Sequence, residues 1–465
     1  MGRKKIKLLF ILVFALILRL ININQSFWLD EAAQMIESSR PFSLQFALSS
    51  DFHPPLYHLL LHFWIYFGKS ETFARIPSVV MGVLSVYFIY KVARLLNIKR
   101  GLIPAVFLLS LSPYHIYFSQ EVRPYMLFAL LSLASVYYWL KKDGLKYIFV
   151  NILLLYTNYF ASFVLSGQLI ATALFDKKSI PRQIRSLLYS FLFFLPWAPK
   201  FLRQITVGLG GGFNGWTDIV SESAFRNIPL IFAKFVLGRV SIDNNIIYAF
   251  VLFPSFAVLL KSCLAIIKKN RGRLILGFFL FSLLLPVLVS VFFPVTAPQR
   301  LIYLLPVYIL IISYAGDFLP YRIFILNISI VILTNCFGLF LYYSKPQFQR
   351  EDWRQSVNWL QSAAGKNHAV IFAFPEPFAP FLWYNSYSLK AAGVAEGFKV
   401  DREMLIRINS LIDSSDELYY YSYLSQLTDP ENRITGRLNS TLNLTEIKDF
   451  PGVGFVYVYK KNAVK

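Results

Sequence analysis

Four continuous apolar runs, residues 8–21, 79–92, 274–293 and 324–343, decide what this chain can fold into. Each approaches the roughly 20 apolar residues that a helix needs to cross about 30 Å of hydrocarbon. The apolar residues do not alternate with polar ones, so the spans are helices rather than barrel strands. With 56% of its 465 residues hydrophobic, 15% charged and a mean hydropathy of +0.52, the chain carries more apolar surface than a water-soluble fold can hide. A mainly α, polytopic helical membrane protein follows.

The net charge of +21 would suit a nucleic-acid partner. The Lys and Arg residues, however, stand in short clusters between apolar runs and form no basic face interleaved with aromatics, so no nucleic acid is expected. The clusters lie at 3–7, 94–100, 141–146, 177–185, 268–273 and Arg322. Placing them on the cytoplasmic side gives about eleven spans, near 7–22, 74–95, 101–117, 124–140, 146–159, 160–175, 186–202, 245–267, 274–293, 300–319 and 322–343. The N-terminus is then cytoplasmic and the C-terminus external, in the cytoplasmic (inner) membrane. Arg3-Lys4-Lys5 before an apolar stretch has the outline of a signal peptide, but no small-residue cleavage site follows, and it reads as a retained first span.

This topology leaves a membrane domain over 1–343 and an external α/β domain over 344–465, large enough to hold its own core. The first external loop covers about 22–74. Within it, 55–67 is too short to span and carries His58 and His62, so it reads as an interfacial amphipathic helix with Trp64 and Tyr66 at headgroup depth. A second external loop, about 203–245, contains the glycine-rich stretch 208–215 and reads as mobile. In the C-terminal domain, 351–364 has helical spacing and 368–374 has the character of a buried strand. Cys263 and Cys336 lie in apolar segments and imply neither a disulfide framework nor a metal site. The sequons at Asn439 and Asn443 are weak signals, and no internal repeat is evident.

On this topology the polar residues that could do chemistry gather on the outer side. Trp28-Leu29-Asp30-Glu31-Ala32 follows the first span, and a carboxylate among apolar neighbours can take a hydroxyl proton; the alternative is that Asp30 merely caps a helix. In Asp51-Phe52-His53-Pro54-Pro55-Leu56-Tyr57-His58 the two prolines set a turn that presents Asp51, His53 and Tyr57, and a histidine there can donate to a phosphate. For His58 or His62 alone, a water-facing side chain without a role is the plainer account. Ser119-Gln120-Glu121-Val122-Arg123-Pro124-Tyr125 places Glu121, Arg123 and Tyr125 between two spans, either lining a polar cavity or forming a solvated turn. Arg300, in Ala297-Pro298-Gln299-Arg300, offers the planar fork that suits phosphate, with snorkelling as the alternative. Arg350-Glu351-Asp352-Trp353-Arg354 is either a salt-bridge cluster or a cap over the site. Neither a Gly-rich phosphate loop nor a paired-cysteine metal motif nor a Ser-His-Asp signature is present.

The Leu-Asp-Glu-Ala group, the His-Pro-Pro-Leu-Tyr run, Phe73-Ala74-Arg75-Ile76-Pro77-Ser78, the Gln-Glu-Val-Arg-Pro-Tyr turn and the Glu-Asp-Trp-Arg segment occur in an order that resembles a known group. It is that of the bacterial and archaeal membrane glycosyltransferases of the glycosyltransferase C superfamily, related to protein O-mannosyltransferases and aminoarabinose transferases. The likeness covers about 1–360 and is strongest over 25–130.

The resemblance implies a polyprenyl-phosphate-linked sugar as donor, a site at the outer membrane face and inversion at the anomeric carbon. It places the catalytic base at Asp30, with Glu31 beside it. His53, Arg123 and Arg300 become candidates for the donor phosphate, and Asp51, Tyr57, Glu121 and Tyr125 for positioning substrate. Aminoarabinose transferases carry a lysine immediately before the paired prolines, where this chain has His53. The luminal sugar-binding-like domain of eukaryotic protein O-mannosyltransferases has no counterpart, so the acceptor stays open among lipid, glycan and protein. No cofactor is predicted, and divalent metal is left open. The competing class is a transporter or flippase of lipid-linked saccharide, which should bury charges near the bilayer midplane. Most span interiors here lack Asp, Glu, Lys and Arg.

Overall fold

The structure is a computed structural model, and it describes residues 3–46, 53–209, 227–293, 295–385, 388–395 and 402–461. Asp51 and most of the glycine-rich stretch lie outside the described residues. Two compact units emerge. The first holds the apolar helices; the second takes in Asn24–Arg40 as well as Gln349–Lys465, so the segment carrying Asp30 and Glu31 is part of it.

In the first unit the helices are α1 (Arg3–Leu20), α3 (Leu56–Ile65), α4 (Glu71–Leu95), α5 (Leu102–Leu111), α6 (Pro113–Ser119), α7 (Tyr125–Lys141), α8 (Gly144–Leu155), α9 (Ala161–Phe175) and α10 (Ile180–Phe194). They continue with α11 (Ala198–Leu209), α12 (Asn227–Leu237), α13 (Asn245–Ile266), α14 (Asn270–Ser290), α15 (Leu305–Ala315, preceded by a 3-10 turn from Pro298) and α16 (Tyr321–Ser344). Every predicted span falls on a helix or a helix pair. Among the described residues, five helical stretches are long and apolar enough to cross a membrane, or six if the bent pair α5 and α6 counts as one. The protein is therefore an integral membrane protein. Helix α12 corrects the reading of 203–245 as loop: its eleven residues are too short to register as a span, yet they pack Ile231, Phe235, Val236 and Leu237 into the interior.

Pro113 breaks α5 from α6 with a 57° bend, because its ring cannot donate to the preceding turn. The basic clusters share one end of this unit. Asp317 accepts from the backbone N–H groups of Lys99 and Arg100, each at 2.8 Å, and Arg271 Nη1 donates to Leu95 O at 2.9 Å. Lys142 pairs with Asp176 at 2.8 Å, and Lys91 lies within electrostatic reach of Lys141 and Lys146.

The second unit is built on a five-stranded sheet of order β2-β1-β3-β5-β4, with β1 (His368–Phe372), β2 (Ala391–Gly393), β3 (Glu417–Tyr421), β4 (Asn443–Phe450) and β5 (Gly454–Lys460). β1 runs parallel to both neighbours, whereas β3 with β5 and β4 with β5 are antiparallel. Alternation divides β1, β3 and β5 between two cores. Val370, Phe372, Tyr419 and Tyr421 face α17 (Trp353–Ala363) and α18 (Ala379–Asn385), while Ala369, Ile371, Leu418 and Tyr420 pack with α19 (Arg402–Ser414) and α21 (Arg433–Thr441). The short α20 (Ser425–Thr428) follows β3. Helix α2 (Leu29–Ser39) joins this unit by packing Leu29 against the first core.

Candidate functional site

In the first unit, the polar turn 120–124 stands between α6 and α7, at the end opposite the basic clusters; α7, with 17 residues, separates the two ends by about 25 Å. Several helices hold the turn in place. Ser78 Oγ donates to Glu121 O at 2.6 Å and lies 3.4 Å from Tyr57 Oη. Gln120 Nε2 donates to Arg19 O at 3.1 Å and Ile21 O at 2.6 Å, and Gln120 Oε1 accepts from Tyr342 Oη at 2.9 Å. The Glu121 side chain is 1% exposed, which removes the solvated-turn alternative for it. His58 is likewise buried, so the water-facing account fails there too.

Around this turn the structure brings together residues from two sequence groups. The His53 ring stands edge-on to Tyr125 with centroids 6.4 Å apart, and the Arg123 guanidinium lies 5.9 Å from the same ring. Phe118 packs on the other flank of Tyr125 at 5.1 Å. Arg300 Nη1 donates to Val295 O at 2.6 Å and the guanidinium lies 5.9 Å from the Phe160 ring. Phe160 follows the 156–159 turn, whose first residue holds the His-Pro-Pro-Leu-Tyr run: Leu56 N–H donates to Tyr156 O at 3.0 Å.

One cation escaped the sequence reading. Arg239 follows α12 and its guanidinium lies 5.0 Å from the Tyr117 ring. Tyr114 feels the charges of both Arg239 and Glu121. The preceding Gly238 has φ +73°, and a Cβ there would approach Pro113 Cβ to 2.8 Å, so the bend needs glycine. A Gly-Arg pair ending an apolar stretch is the only signal the sequence carries for it.

In the second unit, Trp28 rather than Asp30 is the N-cap of α2, with extended backbone (φ −88°, ψ 178°) and no side-chain capping bond. The capping alternative for Asp30 is thereby corrected. Asp30 and Glu31 occupy the first helical turn, where the positive end of the helix dipole favours carboxylates. Glu31 is buried and Asp30 half-buried. The 349–354 segment lies along 24–28 as a hydrogen-bonded strap. Arg350 N–H donates to Gln25 Oε1 at 2.8 Å, Arg354 N–H to Ser26 Oγ at 3.1 Å and Arg354 Nη2 to Asn24 O at 3.2 Å. The Arg350 guanidinium lies 5.8 Å from the Trp28 ring.

Glu351 accepts from Tyr423 Oη at 2.8 Å and from Trp353 Nε1 at 2.7 Å. Burial pushes its carboxyl above the ordinary glutamate range against those two hydrogen bonds, and the nearby charge of Asp30 adds to the rise. Tyr423 was not singled out from the sequence, because it lies just beyond β3, 72 residues from Glu351 along the chain. Among the described residues no group of three or more His, Cys, Asp or Glu side chains is placed to hold a metal ion.

The chain combines a polytopic helical unit, with polar groups collected at one end, and a small α/β unit. Residues 52–207 match the family model of dolichyl-phosphate-mannose-protein mannosyltransferase, which bears out the resemblance read from the sequence. In overall fold the chain is similar to ArnT from Cupriavidus metallidurans in the apo state, with a TM-score of 0.60, 11% identity and 98% of each chain covered. The same protein bound to undecaprenyl phosphate gives a TM-score of 0.60 at 12% identity, again over 98% of each chain. The oligosaccharyltransferase AglB from Archaeoglobus fulgidus, in complex with an inhibitory peptide and a dolichol-phosphate, aligns with a TM-score of 0.55 at 11% identity over 98% of this chain and 74% of that one. No curated protein sequence gives a significant match.

Proposed function

We propose that this protein is a glycosyltransferase that moves a sugar from a polyprenyl-phosphate donor to an acceptor hydroxyl at the outer face of the cytoplasmic membrane. The acceptor oxygen attacks the anomeric carbon as Asp30 takes its proton. The bond from that carbon to the phosphate oxygen breaks on the opposite side, the configuration inverts, and the polyprenyl phosphate leaves as an anion. Arg123, Arg300 and His53 offset the charge of the leaving phosphate, and Arg239 joins them as a cation at the same end of the first unit. Tyr57, Glu121, Tyr125 and Asp51 position substrate, and Glu31 supports Asp30 from the same helical turn.

The observation that carries this reading is the gathering of His53, Arg123, Tyr125 and buried Glu121 around one turn. All four lie within the stretch that matches the mannosyltransferase family model. The fold likeness to a protein bound to undecaprenyl phosphate, and to another in complex with dolichol-phosphate, supports the choice of donor lipid. Collection of the basic clusters at the opposite end supports an outward-facing site.

The test is transfer by the purified protein from polyprenyl-phosphate mannose, glucose and related donors, read by product mass. Asp30→Asn keeps size and an acceptor oxygen but cannot take the proton, and should lose about 10²–10⁴-fold in turnover. Glu31→Gln, at equal folded amounts, should be milder. Near wild-type turnover of Asp30→Asn would move the base to Glu31 or Glu121, and no transfer from any such donor would sink the reading.

A further inference from the structure

The first helix buries a cation that none of this chemistry uses. The Arg19 side chain is fully buried, and each of its five N–H groups finds an acceptor. Nη1 donates to Ala15 O at 2.8 Å and Ser110 O at 3.2 Å, Nη2 to Leu109 O at 3.4 Å and His115 Nδ1 at 2.7 Å, and Nε to Ser119 Oγ at 3.1 Å. The contact to Nδ1 requires a neutral imidazole with its proton on Nε2. All of these acceptors are uncharged. A charge so placed inside a membrane protein is costly, and dispersal over a full set of hydrogen bonds is what makes it tolerable.

The acceptors fall on both sides of the helix break. Leu109 and Ser110 end α5, where the bend at Pro113 frees carbonyls from the helical ladder. His115 and Ser119 belong to α6, whose last residue leads directly into Gln120, Glu121, Val122 and Arg123. The backbone of Arg19 adds to the same grip, because its carbonyl accepts from Gln120 Nε2 at 3.1 Å. Helix α4 comes so close at Gly82 that a Cβ would lie 2.2 Å from Ser119 Oγ and 3.0 Å from Arg19 Nε. Only a residue without a side chain admits the guanidinium there.

We infer that Arg19 is a positioning residue. Its guanidinium ties both halves of the broken α5–α6 segment to α1, and so sets the height and orientation of the turn that carries Glu121 and Arg123. The consequence for donor binding rests on the glycosyltransferase reading above; the mechanical role does not. Lysine keeps the charge but offers a compact ammonium with three donors and no planar fork, so it cannot reach Leu109, Ser110, His115 and Ser119 together.

The test measures Arg19→Lys and Ser119→Ala in the full-length protein in detergent, by hydrogen–deuterium exchange over 113–124, by undecaprenyl phosphate binding and by turnover. Both variants should exchange faster over that segment, by about tenfold or more for Arg19→Lys, with the rest of the first unit unchanged. The donor KM should rise about tenfold for Arg19→Lys while kcat stays within about threefold, since the turn is displaced but the base is untouched. If Arg19→Lys does not fold, Ser119→Ala carries the comparison alone, because it removes one α6 contact and leaves the cation buried. Wild-type exchange over 113–124 in the folded variants overturns the inference. Faster exchange in a protein that neither binds the lipid phosphate nor transfers sugar overturns the glycosyltransferase reading and leaves the role of Arg19 standing.

Discussion

At the residue scale, the arginines of the first unit and Glu351 of the second make separable predictions. Arg123→Ala and Arg300→Ala should each weaken donor binding by about 1.5–3 kcal/mol, the usual cost of one charge-assisted contact. Unchanged affinity for the lipid phosphate in both would return the two guanidiniums to packing on Tyr125 and Phe160. Glu351 responds to pH instead. Its folded-state carboxyl titrates above the ordinary value of 4.5, so the folded state holds that proton more tightly than the unfolded chain. The resulting stability is fully present below 4.5 and is lost as pH rises through the folded-state value. Thermal unfolding between about pH 4 and 8 should therefore show Glu351→Gln gaining on the wild type as pH rises, then levelling off. A difference that does not change with pH would mean that the Tyr423 and Trp353 hydrogen bonds fully offset burial and the charge of Asp30.

At the scale of elements, close approach sets the tolerances. A Cβ on Gly101 would lie 1.9 Å from the Ser313 carbonyl oxygen, and backbone cannot step aside as a side-chain tip can. Gly101→Ala must push α5 away from α15 and should cost at least about 1–3 kcal/mol, read as a lowered melting temperature in detergent. Gly436, in α21, has nothing within 4 Å of such a Cβ. Gly436→Ala should be neutral or stabilising by up to about 1 kcal/mol through helix propensity, and serves as the contrast. Equal melting temperatures for the two variants would contradict the packing account of Gly101.

At the scale of the whole molecule, orientation in the membrane is the property to test. Single cysteines at positions 70 and 388 should react with an impermeant reagent applied from outside, and those at 99 and 269 should not, in a background freed of Cys263 and Cys336. The hydrogen bonds that join 95–100, 271 and 316–319 demand that 99 and 269 behave alike. Labelling of position 99 from outside would mean that 55–67 crosses the bilayer, which would invert the proposed topology.

What was legible in the sequence was whatever repeats along the chain. Continuous apolar runs report helices because hydrocarbon leaves the backbone no other partner, and the short apolar run through 368–374 reports a buried strand, whereas its partner at 417–421 was not singled out. The short α12 and the break at Pro113 were blurred, since eleven residues are too few for a span and a bend costs no hydropathy. For the candidate site, the motif order placed His53, Glu121, Arg123 and Tyr125 on one list, but only packing set His53 and Arg123 against the same tyrosine. Arg239, Tyr423 and the role of Arg19 had no local pattern to betray them. Their meaning lies in partners 72–122 residues away, such as Tyr117, Glu351 and Ser119. Periodicity along a chain determines which elements form, because backbone hydrogen bonds and apolar faces are local. Which charged side chains meet is decided by tertiary contacts, because the energy of a buried charge depends on every acceptor that the fold brings within about 3 Å of it.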